Sequence, residues 1–255
     1  MNEKTGGGHF TLPAETGMEK ITQTLIEKWG ADAIRDSDGT QLPPSLLKNG
    51  LTVYSTLCLV REDQDYAQNH PDRCQQKFLI SDPVLAISDT VEIEILRGYC
   101  ADQFNIDTDH TPAQWWEVFD RTAGEKIDVS AWEYLPEKQA VRITGAEKWH
   151  RYTVSFLVYQ IWDPISMNNH LTNNWTSPHV ISVDPYHDDT RRHLIEYLDT
   201  WLENHPRTDV VRLTSIAYNF TSIYNDTKPK PTKRVGDWTG YHDCISVAAL
   251  EDFAR

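Results

Sequence analysis

Charged side chains occur at or just after the ends of several apolar runs. Arg35 and Arg212 each lie near the end of such a run, Asp36 and Asp38 come directly after the run that contains Arg35, and Asp163 follows another. The planar guanidinium of arginine is permanently charged and binds the oxygens of an anion such as phosphate in pairs. Two neighbouring carboxylates can instead supply the acid and the base of a hydrolase. The sequence therefore offers two kinds of chemistry, anion binding and acid–base catalysis.

Each of these residues also has a purely structural interpretation. Arg35 could form an ion pair with Asp36 or Asp38 that only orders a loop, and spacing alone gives both roles equal weight. Arg212 has a stronger functional case, because a buried arginine inside an apolar strand needs a partner. Asp36 and Asp38 share one side of an extended segment, but Asp-Ser-Asp-Gly is also common turn chemistry, which we favour. Asp163 precedes a proline and is more typical of a strand-end cap.

A group of asparagines follows Asp163, at positions 168, 169, 173 and 174. Amide side chains donate and accept hydrogen bonds together, which suits the hydroxyl groups of a sugar. The alternative is a solvated loop, and only Asn169 and Asn173 stand out from it. The ten histidines are scattered, with no His-x-x-x-His pair, so the sequence predicts no metal site.

Four candidate strands would have to position these residues. They are Ala31–Arg35, Val53–Val60, Tyr152–Ile161 and Asp209–Thr214, apolar runs typical of a buried parallel sheet. Four strands are half of a closed eight-stranded barrel, and the polar residues lie where barrel enzymes carry their chemistry. An open doubly wound sheet also fits, but no glycine-rich phosphate loop follows the first strand. We therefore favour an α/β fold, the N-terminal half of a (β/α)8 TIM-type barrel.

Helices are predicted at Thr16–Trp29 and Asp189–Asn204, and a third starts at Ser246. Thr16 and Glu19 have the spacing of a capping box, and Gly30 ends the first helix. Between about residues 83 and 149, polar and apolar residues alternate, as is typical of antiparallel hairpins. The sequence thus predicts one partial barrel domain over residues 1–255 with a small antiparallel β insertion at about 83–149.

Composition excludes several classes of partner. The formal charge of −14 opposes the binding of nucleic acid and of anionic membranes, so any phosphate site must be built locally from arginines and backbone N–H groups. Residues Met1–His9 form no apolar signal region, and no Cys-x-x-Cys pair occurs, so we expect a cytoplasmic protein. Nine tryptophans and eleven tyrosines fit either sugar stacking or ordinary core packing.

Several blocks, in order along almost the whole chain, carry a resemblance to a known family. The blocks are Phe10–Pro13, Trp29–Thr40, Trp149–His150, Tyr152–Leu157, Ile161–Pro164, Asn169–Asn173, Asp209–Arg212, Asp237–Trp238 and Gly240–Tyr241. Together they resemble glycoside hydrolase family 112, the galactosyl-hexosamine and galactosyl-rhamnose phosphorylases.

The resemblance implies inverting phosphorolysis of a terminal β-galactoside, either galactosyl-N-acetylhexosamine or galactosyl-rhamnose, to α-galactose 1-phosphate. It also implies inorganic phosphate as co-substrate, no metal or organic cofactor, and a homodimer of the full-length protein. Arg35 and Arg212 match arginines of the galactose and phosphate subsites, and Asn169 matches a galactose-contacting asparagine. With Asn173, these are the predicted substrate-binding residues.

The family's general acid is an aspartate in a Gly-Asp-x-Trp-Ile-Gly context, which does not occur in these 255 residues. We therefore expect the acid beyond residue 255 and expect this chain alone to be inactive. Two alternatives stay open. One is a β-galactoside hydrolase that uses carboxylates such as Asp36 and Asp163, and the other is a non-catalytic sugar-binding module or inactive fragment.

Overall fold

The computed structural model describes residues 10–36, 42–47, 50–99, 104–161, 178, 180–213, 222–223, 234–235 and 246–255. Its strands are β1 (Thr11–Ala14), β2 (Ala33–Asp36), β3 (Thr52–Leu57), β4 (Gln76–Ile80), β5 (Val84–Leu85), β6 (Thr90–Glu94), β7 (Phe104–Ile106), β8 (Glu117–Asp120), β9 (Glu125–Lys126), β10 (Trp132–Leu135), β11 (Ala140–Thr144), β12 (Arg151–Gln160), β13 (Val210–Leu213), β14 (Ser222–Ile223) and β15 (Arg234–Val235). Its α-helices are α1 (Glu19–Trp29), α2 (Gln64–Asn69), α3 (Pro112–Trp115), α4 (Asp188–Asn204) and α5 (Val247–Phe253).

The chain divides into two compact units. The first contains Met1–Asp63 and Arg191–Ile216, and the second contains Gln64–Thr190 and Ala217–Arg255. In sequence, the segment Gln64–Thr190 of the second unit is therefore inserted into the first unit, after β3 and before most of helix α4.

The first unit is built on a parallel sheet with the strand order β1-β2-β3-β13. Helix α1 connects β1 to β2 and packs on one face of this sheet. The contact buries a small apolar cluster: Leu12, Ala14, Ile26, Ala31, Ile34, Leu42, Leu46 and Val53. A strand, a helix and a parallel strand in succession form the repeating unit of an α/β fold.

Helix α1 ends where the sequence predicts and begins later. Gly30 adopts the left-handed conformation with φ of 64° and donates its N–H to the carbonyl of Ile26, as the predicted C-cap requires. At the other end, Met18 occupies the N-cap without a side-chain hydrogen bond. The Glu19 carboxylate accepts from the N–H of Gly17 at 3.0 Å. The predicted capping box of Thr16 and Glu19 is therefore wrong.

The second unit is dominated by antiparallel strands. Strand β12 lies at the centre of a sheet in which β4, β5, β7 and β8 all pair with it, and β9 extends this sheet beyond β8. A separate sheet has the order β10-β11-β6. Ile93 and Ile143 from this second sheet share one apolar cluster with Val154 and Phe156 of β12. The predicted hairpins around residues 116–129 and 132–143 are thus confirmed.

One predicted strand of the parallel sheet is wrong. Residues 152–161 were expected there, but β12 pairs antiparallel with every partner it has in the described structure. The mistake has a physical cause, because β12 is buried on both faces and therefore shows the continuous apolar run of a parallel strand. Its place in the parallel sheet is taken by the short strand β1. The antiparallel strands run from Gln76 to Gln160, on both sides of the range 83–149.

Within the described residues, no helix is both long and apolar enough to cross a membrane.

Candidate functional site

The parallel sheet of the first unit has two different faces. Leu12, Ile34 and Val53 occupy alternate positions on β1, β2 and β3 and all belong to the cluster under α1. We call this side the helix face. Side chains one residue further along each strand must point to the opposite side, which we call the arginine face because it carries Arg35 and Arg212.

The strand register places Arg35 and Arg212 on the same face. Arg35 is opposite Tyr54, and Tyr54 is opposite Val210. Arg212 lies two residues beyond Val210, so its side chain returns to the side of Arg35. Strand β3 separates the two arginine strands. Two strand spacings and a two-residue offset put the two Cα atoms roughly 12 Å apart, a span that one disaccharide-sized ligand can bridge.

The arginine face of the described sheet carries no carboxylate. Its residues are Thr11, Pro13, Ala33, Arg35, Thr52, Tyr54, Thr56, Val210 and Arg212. Positive charge is therefore concentrated locally in a chain whose formal charge is −14. This arrangement can attract a phosphate or another oxyanion in spite of the acidic field of the whole chain.

Arg212 is more exposed than its sequence context predicts. Val210, Arg212 and Leu213 are all exposed, and in the described structure β13 pairs only with β3. The interpretation of Arg212 as a buried arginine in an apolar strand is therefore wrong. Because Arg212 is exposed, no buried partner is needed to explain it, and its case for function depends on the face that it shares with Arg35.

Asp36 has a structural role that separates it from the arginines. It follows Arg35 in β2 and so faces the opposite way, and its side chain is buried. Both carboxylate oxygens lie 2.8 Å from the backbone nitrogen of Thr56, which donates its N–H to them. The described ion pairs do not include one between Arg35 and Asp36. The alternative in which Arg35 only orders a loop by pairing with Asp36 therefore receives no support.

Several predicted site residues lie outside the described residues. Asn169 and Asn173 belong to this group, as do Asp38 and Asp163. The structure therefore brings together two of the four predicted substrate-binding residues, Arg35 and Arg212. The roles of the two asparagines stay predictions.

Sequence reasoning missed two polar residues on the arginine face, Tyr54 and Thr56. Both lie in β3, which was interpreted as a uniformly buried strand. A partial signal was present, because Thr52, Tyr54 and Thr56 alternate with Val53 and Leu57, although Ser55 interrupts the apolar positions. Such alternation predicts a strand with one apolar and one polar face, and it identifies the polar face as a candidate part of the site.

A cavity of about 200 Å³ lies in the first unit, and Thr56 is part of its lining. The lining also includes Asp36, Val53 and Ser55, which point to the helix face, and residues 204–208, at and after the end of α4. The hydroxyls of Ser55 and Thr208 are hydrogen-bonded at 2.8 Å. The described residues contain no group of three or more His, Cys, Asp or Glu side chains that could hold a metal ion. The candidate site is therefore the arginine face.

Comparison with known proteins identifies the family to which this chain belongs. Residues 8–255 match the N-terminal TIM barrel domain of lacto-N-biose phosphorylase. The chain belongs to the lacto-N-biose phosphorylase family. This match confirms the predicted family and the α/β fold class of a TIM barrel domain. The described parallel sheet of the first unit has four strands and does not close into a barrel.

Individual relatives of the lacto-N-biose phosphorylase family are similar along nearly the whole chain. The chain is 42% identical over 251 residues to D-galactosyl-β-1→4-L-rhamnose phosphorylase of Lachnoclostridium phytofermentans, covering 98% of this chain and 34% of that protein. It is 41% identical over 250 residues to 1,3-β-galactosyl-N-acetylhexosamine phosphorylase of Bifidobacterium longum subsp. longum, covering 98% of this chain and 33% of that protein. The chain thus spans about a third of the length of these relatives.

Proposed function

We propose that this chain provides part of the substrate-binding face of an enzyme that cleaves a terminal β-galactoside with inorganic phosphate and releases α-galactose 1-phosphate. The observation that carries the proposal is the placement of Arg35 and Arg212 on one carboxylate-free face of the parallel sheet. Membership of the family supports the type of reaction, because the relatives bear the names of galactosyl-rhamnose and galactosyl-N-acetylhexosamine phosphorylases.

The proposed reaction makes particular demands on the protein. An oxygen of phosphate attacks the anomeric carbon of galactose from the side opposite the glycosidic bond. That bond breaks with its electron pair going to the leaving oxygen, which takes a proton from a general acid. The β linkage therefore becomes an α phosphate ester. Phosphate is already a nucleophile, so the protein has to position it rather than activate it.

Arginine suits this positioning role. Its fork holds two oxygens of phosphate in a fixed orientation, and its charge offsets part of the negative charge of the nucleophile. The same geometry binds paired hydroxyls of a sugar. We assign Arg35 and Arg212 to the galactose and phosphate subsites together, and Asn169 and Asn173 to galactose. We assign no general acid to the described residues.

The test is an assay of phosphate-dependent release of α-galactose 1-phosphate from both disaccharides, with Arg35→Lys and Arg212→Lys made in an active full-length protein that contains this chain. Lysine keeps the charge and loses the paired hydrogen bonds, so we expect kcat/KM to fall about tenfold to a hundredfold in each variant. Arg142→Lys is the matched control. Arg142 pairs with Glu92 and Glu133 on the surface of the second unit, and we expect less than about a twofold change there.

Two results would contradict the proposal. Release of free galactose at the same rate with and without phosphate would identify a hydrolase, and binding of the disaccharide without turnover in any protein that contains this chain would identify a sugar-binding module. If Arg35→Lys and Arg142→Lys changed kcat/KM equally, the arginine face would not be part of the substrate-binding site. Reaction without a metal or organic cofactor, a homodimer of the full-length protein and a cytoplasmic location stay predictions.

A further inference from the structure

Thr56 is a buried hydroxyl that has no hydrogen-bond partner in the described structure. The residue is 5% exposed, and its buried Oγ1 atom makes no hydrogen bond in the described structure. Nearly all buried polar groups in folded proteins are hydrogen-bonded. A buried group without a partner has lost its hydrogen bonds to water, and no new bond offsets this loss of free energy. The hydroxyl of Thr56 is therefore available to a partner other than the described residues.

The position of Thr56 relates it to the arginines. In the strand register it is directly opposite Arg212, so the two side chains are neighbours on the arginine face. The residues on either side of it, Ser55 and Leu57, point to the other face, where Ser55 bonds to Thr208. No carboxylate of the described sheet shares the face with Thr56 and Arg212.

The backbone at Thr56 is held firmly. Its N–H donates to both carboxylate oxygens of Asp36 at 2.8 Å, and its register partner on β13 fixes the other side of the strand. A hydroxyl on a backbone anchored in this way has a defined direction before any ligand binds, which is the preorganisation that tight recognition of an anion requires. By holding the backbone of Thr56, Asp36 thus helps to orient the Thr56 hydroxyl on the opposite face of the sheet.

We propose that Thr56 is a phosphate-binding residue, whose hydroxyl donates a hydrogen bond to an oxygen of the phosphate that Arg212 neutralises. The inference rests on the proposed function and extends it to a specific contact. A hydroxyl next to a guanidinium fits a phosphate, since the arginine supplies charge and the hydroxyl supplies a short hydrogen bond to an adjacent oxygen. No covalent step is assigned to Thr56.

The decisive variant is Thr56→Val, which replaces the hydroxyl by a methyl group of nearly the same size. We expect the KM for phosphate to rise about tenfold, since a hydrogen bond to a charged group is lost, while the KM for the disaccharide changes less than about twofold. The Tm should stay the same or rise, because no hydrogen bond of the free protein is removed. Thr22→Val is the matched control, because Thr22 is also 5% exposed but lies in α1, on the helix-face side of the sheet, and neither KM should change.

A second measurement is independent of turnover. Inorganic phosphate should raise the Tm of the protein by binding to its folded state, and this increase should be smaller in Thr56→Val than in the parent and in Thr22→Val. Unchanged phosphate constants in Thr56→Val, by both measurements, would overturn the inference. So would a rise in the KM for the disaccharide instead of phosphate, or a lack of any phosphate effect on the parent's Tm. A protein that binds phosphate through Thr56 without phosphorolysis would contradict the proposed function alone.

Discussion

Arg35 and Asp36 are adjacent in sequence and have opposite surroundings. Arg35 lies on the arginine face, and Asp36 is buried with its carboxylate against the backbone N–H of Thr56. At the scale of the residue, the sequence was sufficient to place both at the end of a strand. It could not decide which of them faced the site, because that depends on which side of β2 is covered by α1. The hydrolase alternative required Asp36 to act where Arg35 lies, and the alternation of the strand opposes it.

Replacement of Asp36 separates its structural role from a catalytic one. In Asp36→Asn an amide group replaces one acceptor of the Thr56 N–H, and we expect the free energy of unfolding to fall by about 2 kcal/mol. The kcat at saturating phosphate should change less than about threefold under conditions where the variant is folded, and the KM for phosphate should rise less than in Thr56→Val, because Asp36 acts only through the backbone of Thr56. Urea unfolding and the phosphorolysis assay measure the two effects.

The matched control is Asp32→Asn. Asp32 accepts from the N–H of Phe10 at 2.8 Å in an exposed position, so the same chemical change should destabilise the protein less. A variant Asp36→Asn with normal stability and no activity would support a catalytic carboxylate and the hydrolase alternative.

At the scale of the element, prediction from sequence succeeded for the long helix α4 and for the hairpins, missed short elements such as α2 and β1, and misassigned β12. Helix α4 and the hairpin of β10 and β11 follow their predicted ranges closely, because their periodicity and turn residues are local signals. Strand β1 has four residues, one of them a proline, and offers no such signal. Strand β12 offers an ambiguous one, since a strand buried on both faces occurs in parallel and antiparallel sheets alike.

The start of β12 is tied to the end of β8 by a titratable pair. The Nδ1 atom of His150 lies 2.7 Å from a carboxylate oxygen of Asp120, and Asp120 also accepts from the N–H groups of Thr122 and Ala123. The hydrogen bond to Asp120 raises the pKa of His150 above its ordinary value, and Glu147 contributes to the same effect. Hydrogen bonds from Ala123 and His150 outweigh the effect of burial and lower the pKa of Asp120.

This pair predicts a specific dependence of stability on pH. The folded state favours protonated His150, so its contribution is complete below the unfolded pKa of about 6.5 and disappears as the pH rises through the raised pKa. His150→Gln should therefore lower the Tm more at pH 6 than at pH 9. Glu147→Gln is the control, since Glu147 lies 3.4 Å from the other ring nitrogen and should have a smaller effect. A Tm difference that does not vary with pH would show that the histidine is neutral in the folded protein.

At the scale of the whole molecule, the two units differ in the size of their apolar cores. The described cluster of the second unit contains 19 buried residues, and that of the first contains 8. The sequence predicted an α/β barrel part with a β-rich insertion. It did not reveal that the larger core belongs to the antiparallel unit, because the burial of β12 was attributed to the parallel sheet. Buried apolar area is the main source of stability, so the two units are expected to differ in resistance to opening.

Native-state hydrogen exchange can measure this difference, because the slowest amides report the opening of the most stable part of a structure. Amides in the middle of β12 and of β3 are comparable probes, since each strand pairs with neighbours on both sides. We expect exchange in β12 to be at least about a hundredfold slower than in β3. This ratio corresponds to a free energy of opening that is about 2.7 kcal/mol higher for β12. Equal rates in the two strands would instead show that the chain opens as one cooperative unit. The contribution of the smaller core could then not be separated from that of the larger, and the arginine face would be as resistant to opening as the antiparallel unit.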